Sequence, residues 1–283
     1  MTEPHYSIQR MSRDDLQIAI DWAAAEGWNP GLHDAECFYA ADPTGFLIGR
    51  LGDQAIATIS AVKYGHSFGF IGFYLVKPEY RGQGYGIQLW NAALDTLQGR
   101  TIGLDGVLVQ QSNYQKSGFQ LAYRNIRYAG VGGGEPTSHA EVVDLSNVPF
   151  ETIAAYDQLF FSGDRVQFLR CWINQPDSTA LGILRNNTLV GYGVIRACRQ
   201  GYKIGPLFAD RPTFAEALFI ALTATTPAGA PIYLDVPEIN AAAVNLAEHY
   251  EMKPVFETAR MYTQAAPDLP YDRLFGVTTF ELG

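Results

Sequence analysis

Two spacings of apolar residues take turns along this chain. Period-two runs predict strands at 6–10 (YSIQR), 46–51 (FLIGRL), 55–64 (AIATISAVKY) and 68–76 (FGFIGFYLV), with turns at Gly52-Asp53 and at 65–67. A helix is predicted where Ser12, a capping residue, precedes Asp14, Asp15 and an apolar stripe that reaches Trp22 and Ala25. The turn-rich GWNPG (27–31) leads to a second helix at 34–41. A third spans about 84–98, with Ile87, Leu89, Trp90, Ala93, Leu94 and Leu97 in apolar register. TIGLDGVLV (101–109) reads as a strand, a short helix ends at Ser117-Gly118, and LAYRNIRYA (121–129) reads as another strand. The glycine cluster GVGGGEPTSH (130–139) then has the character of a linker.

Beyond the cluster the order starts again. Helices are predicted at 150–161 and 164–174, strands at 179–184, 188–198 and 201–208, a helix at 212–225, a strand at 231–235, a helix at 240–250 and a strand at 255–263. The segments GLDGV…NYQKSGFQLAYRNIRYA and YLDVP…EHYEMKPVFETARMY match best. Leu104-Asp105 pairs with Leu234-Asp235 and Tyr114 with Tyr250, at separations of 130 and 136 that one six-residue insertion reconciles. The chain therefore reads as two copies of one α+β unit, 1–130 and 140–283, joined by 131–139. Each copy is expected to hold a mixed, mostly antiparallel sheet flanked by helices, in the manner of a three-layer α/β sandwich.

Composition narrows the classes. With 47% hydrophobic and 17% charged residues, the 283-residue chain can bury a core and is not disordered overall. No run of ~18 uncharged apolar residues predicts a membrane helix, and MTEPHYSIQRMSRDD lacks the pattern of a secretory signal. Cys37, Cys171 and Cys198 are odd in number, far apart and in no CxxC pair. That argues against a disulfide framework or a structural zinc and fits a reducing cytoplasm. The net charge of −9 divides into −2 for residues 1–130 and −7 for 131–283, without basic runs. Nucleic acid is thus not an expected partner, whereas a cationic amine is compatible; solubility alone also accounts for an acidic surface.

The segment LVKPEYRGQGYGIQLW (75–90) carries the most chemistry. A strand ends at Val76, Pro78 stops it, and Arg81-Gly-Gln-Gly-Tyr-Gly86 opens a helix. Alternate glycines let backbone N–H groups converge on one concavity, and a helix N-terminus there favours a pyrophosphate. The third glycine comes one residue early for a dinucleotide fingerprint, and GK[ST] is missing. R-x-x-G-x-G between strand and helix resembles motif A of the GNAT superfamily of acetyl-CoA-dependent N-acyltransferases. The element order of 6–129 and the helix end Tyr114-Gln-Lys-Ser-Gly118-Phe119 resemble that superfamily as well.

The resemblance implies an acyl donor, acetyl-CoA, lying in a cleft between strand 68–76 and the strand that carries Asp105. Tyr74 and Val76 would bond the pantetheine arm, residues 81–86 (Arg81, Gly82, Gln83, Gly84, Tyr85, Gly86) would hold the pyrophosphate, and the Val76 amide would meet the oxyanion. Tyr114 matches the position that protonates the departing thiolate. No metal is implied. The strand before the motif lacks the carboxylate many relatives carry, so Asp105, His66, Glu79 and a water chain all stand as candidates for the base. Recurrence of Asp105 as Asp235 favours a structural role for it. Trp28, Asn29 and Asp34 fall in the segment that lids the acceptor site in the family, with helix capping as the plainer role for Asp34. Tyr64, Phe70 and Tyr123 could complete the cleft.

The second copy has FADRPTFAEALFIAL (208–222) at the motif's place and no glycine from 206 to 227, so it is expected to bind no CoA. The expected activity is transfer of an acetyl group to a small-molecule or peptide amine by direct attack on the thioester. An acyl-CoA sensor without catalysis is the alternative. The amine, the acyl group and the assembly, a homodimer included, stay open.

Overall fold

The computed structural model describes residues 5–134 and 141–283. The first series of elements is β1 (Tyr6–Arg10), α1 (Arg13–Ala25), α2 (Asp34–Ala41), β2 (Phe46–Leu51), β3 (Gln54–Tyr64), β4 (Phe68–Val76), α3 (Tyr85–Thr96), β5 (Thr101–Val107), α4 (Gln111–Lys116) and β6 (Gln120–Val131). The second is β7 (Val142–Asp144), α5 (Phe150–Asp157), α6 (Val166–Trp172), β8 (Ser178–Arg185), β9 (Thr188–Ala197), β10 (Tyr202–Ala209), α7 (Pro212–Thr223), β11 (Pro231–Pro237), α8 (Ala241–His249) and β12 (Lys253–Tyr262). A short β13 (Leu274–Gly276) follows, in a stretch where the apolar pattern predicts nothing. The α+β expectation and the mixed, mostly antiparallel sheet hold. No helix is long and apolar enough to cross a membrane among the described residues.

Local chemistry explains the element ends. Ser12 caps α1 through a reciprocal box, its hydroxyl accepting from the Asp15 N–H while the Asp15 carboxylate accepts from the Ser12 N–H. The strands alternate faces as their spacing demands. Phe46 and Ile48 join a core beneath α1, α2, α5 and α6, while Leu47 joins another beneath α3. A third core lies beneath α7 and α8, so helices cover both faces of the sheet.

All strands share one sheet, in the order β1-β2-β3-β4-β5-β12-β6-β11-β10-β9-β8-β7, with β13 beside β10. The two copies have exchanged their last strands. β12 pairs with β5, setting Arg260 opposite Asp105, and β6 pairs with β11, setting Arg127 opposite Asp235. A cut at residue 130 falls inside β6 and leaves neither copy with its own complete sheet. The expected linker is also partly structured. Gly132 N–H donates to Ala230 C=O (2.7 Å) and Gly133 N–H to Thr223 C=O (3.1 Å), docking both on the second copy. The rest of that segment, from 135, lies outside the described residues.

The copies meet through α2 and α6, where Phe38, Phe168 and Trp172 stack and are almost fully buried. Burying side chains of this size stabilises by about 1.5–3 kcal/mol each. Cys37 and Cys171 on these helices are joined as a disulfide, their Cα atoms 5.1 Å apart and 134 residues apart in sequence. The expectation against a disulfide framework is therefore corrected to one bridge, Cys37–Cys171. Distance along the chain carries no information about two helices that pack side by side. Cys198 remains free and buried.

Candidate active site

β4 and β5 run parallel and paired from Phe68↔Thr101 to Ile71↔Leu104, and there the pairing stops. Just beyond, β4 bulges against β3, and Phe73 sits at φ 47° with its carbonyl accepting from the Thr58 hydroxyl at 2.9 Å. A non-glycine residue in the left-handed region costs on the order of 1–3 kcal/mol and persists only when its surroundings enforce it. Past the bulge, Lys77 N–H donates to Ile56 C=O (2.9 Å) on β3. Because the ladder alternates, the N–H groups of Val76 and Tyr74 turn to the other side, toward β5. The strands thus frame a cleft of about 550 Å³.

The mouth of the cleft is the glycine loop. Gly82 and Gly84 have φ of 76° and 85°, conformations that side chains with a Cβ rarely adopt. Gly86 is needed for a different reason, since a Cβ there would come 2.8 Å from the Tyr74 hydroxyl. α3 begins directly after Gly84 with no side-chain cap and no acid in its first turn, which leaves its leading N–H groups open to an anion. Arg81 lines the mouth and is held in place, donating to Val76 C=O (2.8 Å) and to Glu26 (2.6 Å). The Gln83 side chain folds back on Glu79 C=O (2.8 Å), and the Tyr85 ring packs on Tyr6 at 4.8 Å, so these two offer the cleft backbone only.

Tyr114 projects from α4 against Trp90 (ring centroids 5.5 Å apart) and against Gly106, where a Cβ would strike the phenol ring. Its ring lines the cleft, and its hydroxyl has no protein partner among the described residues. Burial, aided by the nearby Tyr74 phenol, pushes its pKa up to about 12, so it stays protonated at neutral pH.

The acceptor segment divides. Trp28 lines the cleft. Its carbonyl accepts from Arg127 (2.7 Å) and Lys203 (3.5 Å). Asn29 instead pairs with the backbone of Gln200, and Asp34 is corrected outright. Asp34 is buried in a bidentate pair with Arg196 (2.8 and 3.2 Å) and also accepts from Gly31 N–H, so it neither meets solvent nor faces the cleft. The whole segment rests on the second copy, since Leu32 N–H donates to Ala197 C=O and Arg199 N–H to Pro30 C=O. Tyr64, Phe70 and Tyr123 are buried core residues outside the cleft.

Among the carboxylate candidates, Asp105 lines the cleft but is held by Arg260 at 2.8 and 2.6 Å and by Asn125 at 2.8 Å, the structural role its recurrence suggested. Asp235 repeats the arrangement with Arg127 at 2.6 and 2.8 Å. His66 and Glu79 are exposed and do not line the cleft. Four residues of the second copy do: Phe256 and Thr258 of β12, and Phe280 and Glu281 beyond β13. Sequence reasoning missed all four: nothing in FGVTTFELG announces that Phe280 and Glu281 cross to the other copy, and periodicity does not show that β12, with Phe256 and Thr258, lies beside β5. No group of three or more metal-ligating side chains comes together among the described residues.

The second copy also parts its parallel strands, after Ile204↔Leu234 of β10 and β11. There β13 enters the gap, pairing Leu207↔Gly276 and Phe208↔Leu274, and Val277 N–H donates to Asp235 C=O (2.9 Å). α7 starts with Pro212 where the glycines would be, and the Phe214 ring packs between the guanidinium groups of Arg185 and Arg211 at 5.6 and 5.9 Å.

Two sequence families match this arrangement: the acetyltransferase (GNAT) family over residues 9–119, and an acetyltransferase (GNAT) domain over residues 153–276. The chain belongs to the GNAT superfamily of acyltransferases, with a GNAT-like unit in each half. It is 29% identical over 272 residues to holothin acyltransferase of a Pseudoalteromonas species, covering 96% of this chain and 92% of that one. The fold is similar to that of a candidate acetyltransferase from Pyrococcus horikoshii (TM-score 0.82, 23% identity, 98% and 96% of the chains covered). It is also similar to that of a tandem GNAT protein from the clavulanic acid biosynthesis pathway (TM-score 0.63, 14% identity, 93% and 100%).

Proposed function

We propose that the first copy transfers an acetyl group from acetyl-CoA to an amine and that the second copy binds no CoA. The carrying observation is the contrast between gaps: β4 and β5 part over an open cleft ending in bare helix N–H groups, while β10 and β11 part around β13. The residues present fit the donor. Gly82, Gly84, Gly86 and the first turn of α3 would receive the pyrophosphate, with Arg81 at its rim, and the outward backbone of Tyr74 and Val76 would bond the pantetheine arm. When bound, the donor supplies the activated thioester. Val76 N–H would then stabilise the developing oxyanion, and the Tyr114 phenol would hand its proton to the departing sulfur. Holding both reactants in one cleft can remove up to ~7–11 kcal/mol of the barrier.

The relative's name makes holothin the first acceptor to try. Release of free CoA from acetyl-CoA is expected with holothin or another member of an amine panel, and calorimetry is expected to show one acetyl-CoA per chain. Tight acetyl-CoA binding with no release for any amine would favour a sensor. Two molecules bound per chain would show that the second copy keeps a site.

A further inference from the structure

Three carboxylates reach the cleft, and two of them are already engaged. Glu26 is paired with Arg81 and Asp105 with Arg260. Glu281 is only 3% exposed, yet no basic side chain lies within ion-pair distance of it among the described residues. Its side-chain partner is the Thr279 hydroxyl, two residues away. A carboxylate so enclosed, met by one hydroxyl and by no direct ion pair, is a candidate for substrate contact on a cleft wall.

The chain delivers Glu281 firmly. After β13 fills the gap of the second copy, residues 277–283 cross to the inner end of the first copy's cleft. There Glu281 C=O lies so close to Gly72 that a Cβ would come within 2.0 Å of it, and Gly72 directly follows Ile71, the last paired residue of β4. Tyr64 donates to Leu282 C=O (3.0 Å), Arg165 to the Thr278 hydroxyl (3.0 Å), and the Arg127 guanidinium sits 4.9 Å from the Phe280 ring centre. Behind this segment lie Arg127, Arg196 and Lys203, with Asp34 and Asp235 as counter-charges. Glu281 faces the basic side chains of this layer, so its carboxylate is partly offset before a substrate arrives and is poorly placed to hold an ammonium ion.

We propose that Glu281 is the catalytic base and that it accepts an N–H of a neutral, weakly basic primary amine on a compact apolar body packed near Trp28, Phe256 and Phe280. The assignment rests on the acetyltransferase reading above. The amine lone pair forms the N–C bond at the thioester carbonyl, and the C–S bond breaks with its electron pair on sulfur. One proton passes from nitrogen to Glu281 and one from Tyr114 to sulfur, and solvent carries the proton from Glu281 back to the Tyr114 phenolate.

The test compares wild type with Glu281→Gln on acetyl-CoA with aniline and with benzylamine at neutral pH, alongside calorimetry and thermal melting. Wild type is expected to favour aniline. Glu281→Gln is expected to lose about 10²-fold or more in kcat/KM for the amine with acetyl-CoA affinity and melting unchanged. Unchanged turnover overturns the assignment, as does loss of acetyl-CoA binding or of folding, either of which would make Glu281 a structural support. Preference for benzylamine overturns the neutral-amine class. A wild-type chain that binds acetyl-CoA and acylates neither amine nor holothin overturns the reaction itself.

Discussion

The two places where parallel strands part show one architecture put to two uses. Between β4 and β5 the gap is open, and the N–H groups of Tyr74 and Val76 on β4 face it. Between β10 and β11 the chain's own β13 satisfies the edge, and a proline-started helix replaces the glycine loop. Unpaired strand edges in an interior must be met by something. On the proposed reading, that partner would come with the acyl donor in one copy; in the other it is built in. The filled gap is also where the chain turns toward the open one. Closing the second site and furnishing the first with Phe280 and Glu281 are thus consecutive acts of one ten-residue segment.

Several measurements would break or sharpen this comparison. The largest effect is expected from Tyr114→Phe, which should lower kcat by about 10²–10⁴-fold while acetyl-CoA affinity stays put. Turnover equal to wild type would reduce Tyr114 to packing. In the intact enzyme, loss of rate through ionisation of this phenol is expected only toward pH 12, where burial has moved it, and not near the ~10 of a free tyrosine.

Next comes Gly84→Val, which forces a branched side chain into the left-handed conformation. Strain of roughly 1–3 kcal/mol predicts a ten- to hundredfold weaker Kd for acetyl-CoA. Residual binding of wild-type affinity would place a donor site elsewhere, the second copy included.

Asp105→Asn and Asp235→Asn each leave a buried arginine uncompensated and should each cost about 3–5 kcal/mol in urea unfolding. Near-equal costs would confirm the two pairs as mates across the exchanged strands. A loss of activity in Asp105→Asn without loss of stability would reopen its candidacy as a base. Reduction of Cys37–Cys171 should cost about 2–4 kcal/mol of stability, since the bridge closes a long loop of the unfolded chain. No shift on reduction would mean the bridge contributes little at the α2–α6 contact.

Much of the first copy was legible. Ser12 with Asp15 marked a helix start, and the glycines at 82 and 84 announced a loop whose conformation only glycine adopts freely, while Gly86 marked a close approach to Tyr74. The repeat was legible too, and with it the structural part played by Asp105. The acceptor residues were not: Asp34 in a helical first turn looks alike whether it caps, binds substrate or meets an arginine 162 residues away. Periodicity also says which face of a strand is buried but not which strand lies beside it. The exchange of β6 and β12 therefore left no mark in either copy, and Cys37 and Cys171 gave no hint of their contact.

The sequence by itself determined the family, the duplicated unit, the glycine loop and its loss from the second copy, because these depend on residue types at short spacing. Only the tertiary structure decided which strands became neighbours, which aspartates were consumed by arginines, and which carboxylate reached the cleft. Those outcomes depend on contacts between residues more than a hundred positions apart, where local spacing carries no signal and burial decides.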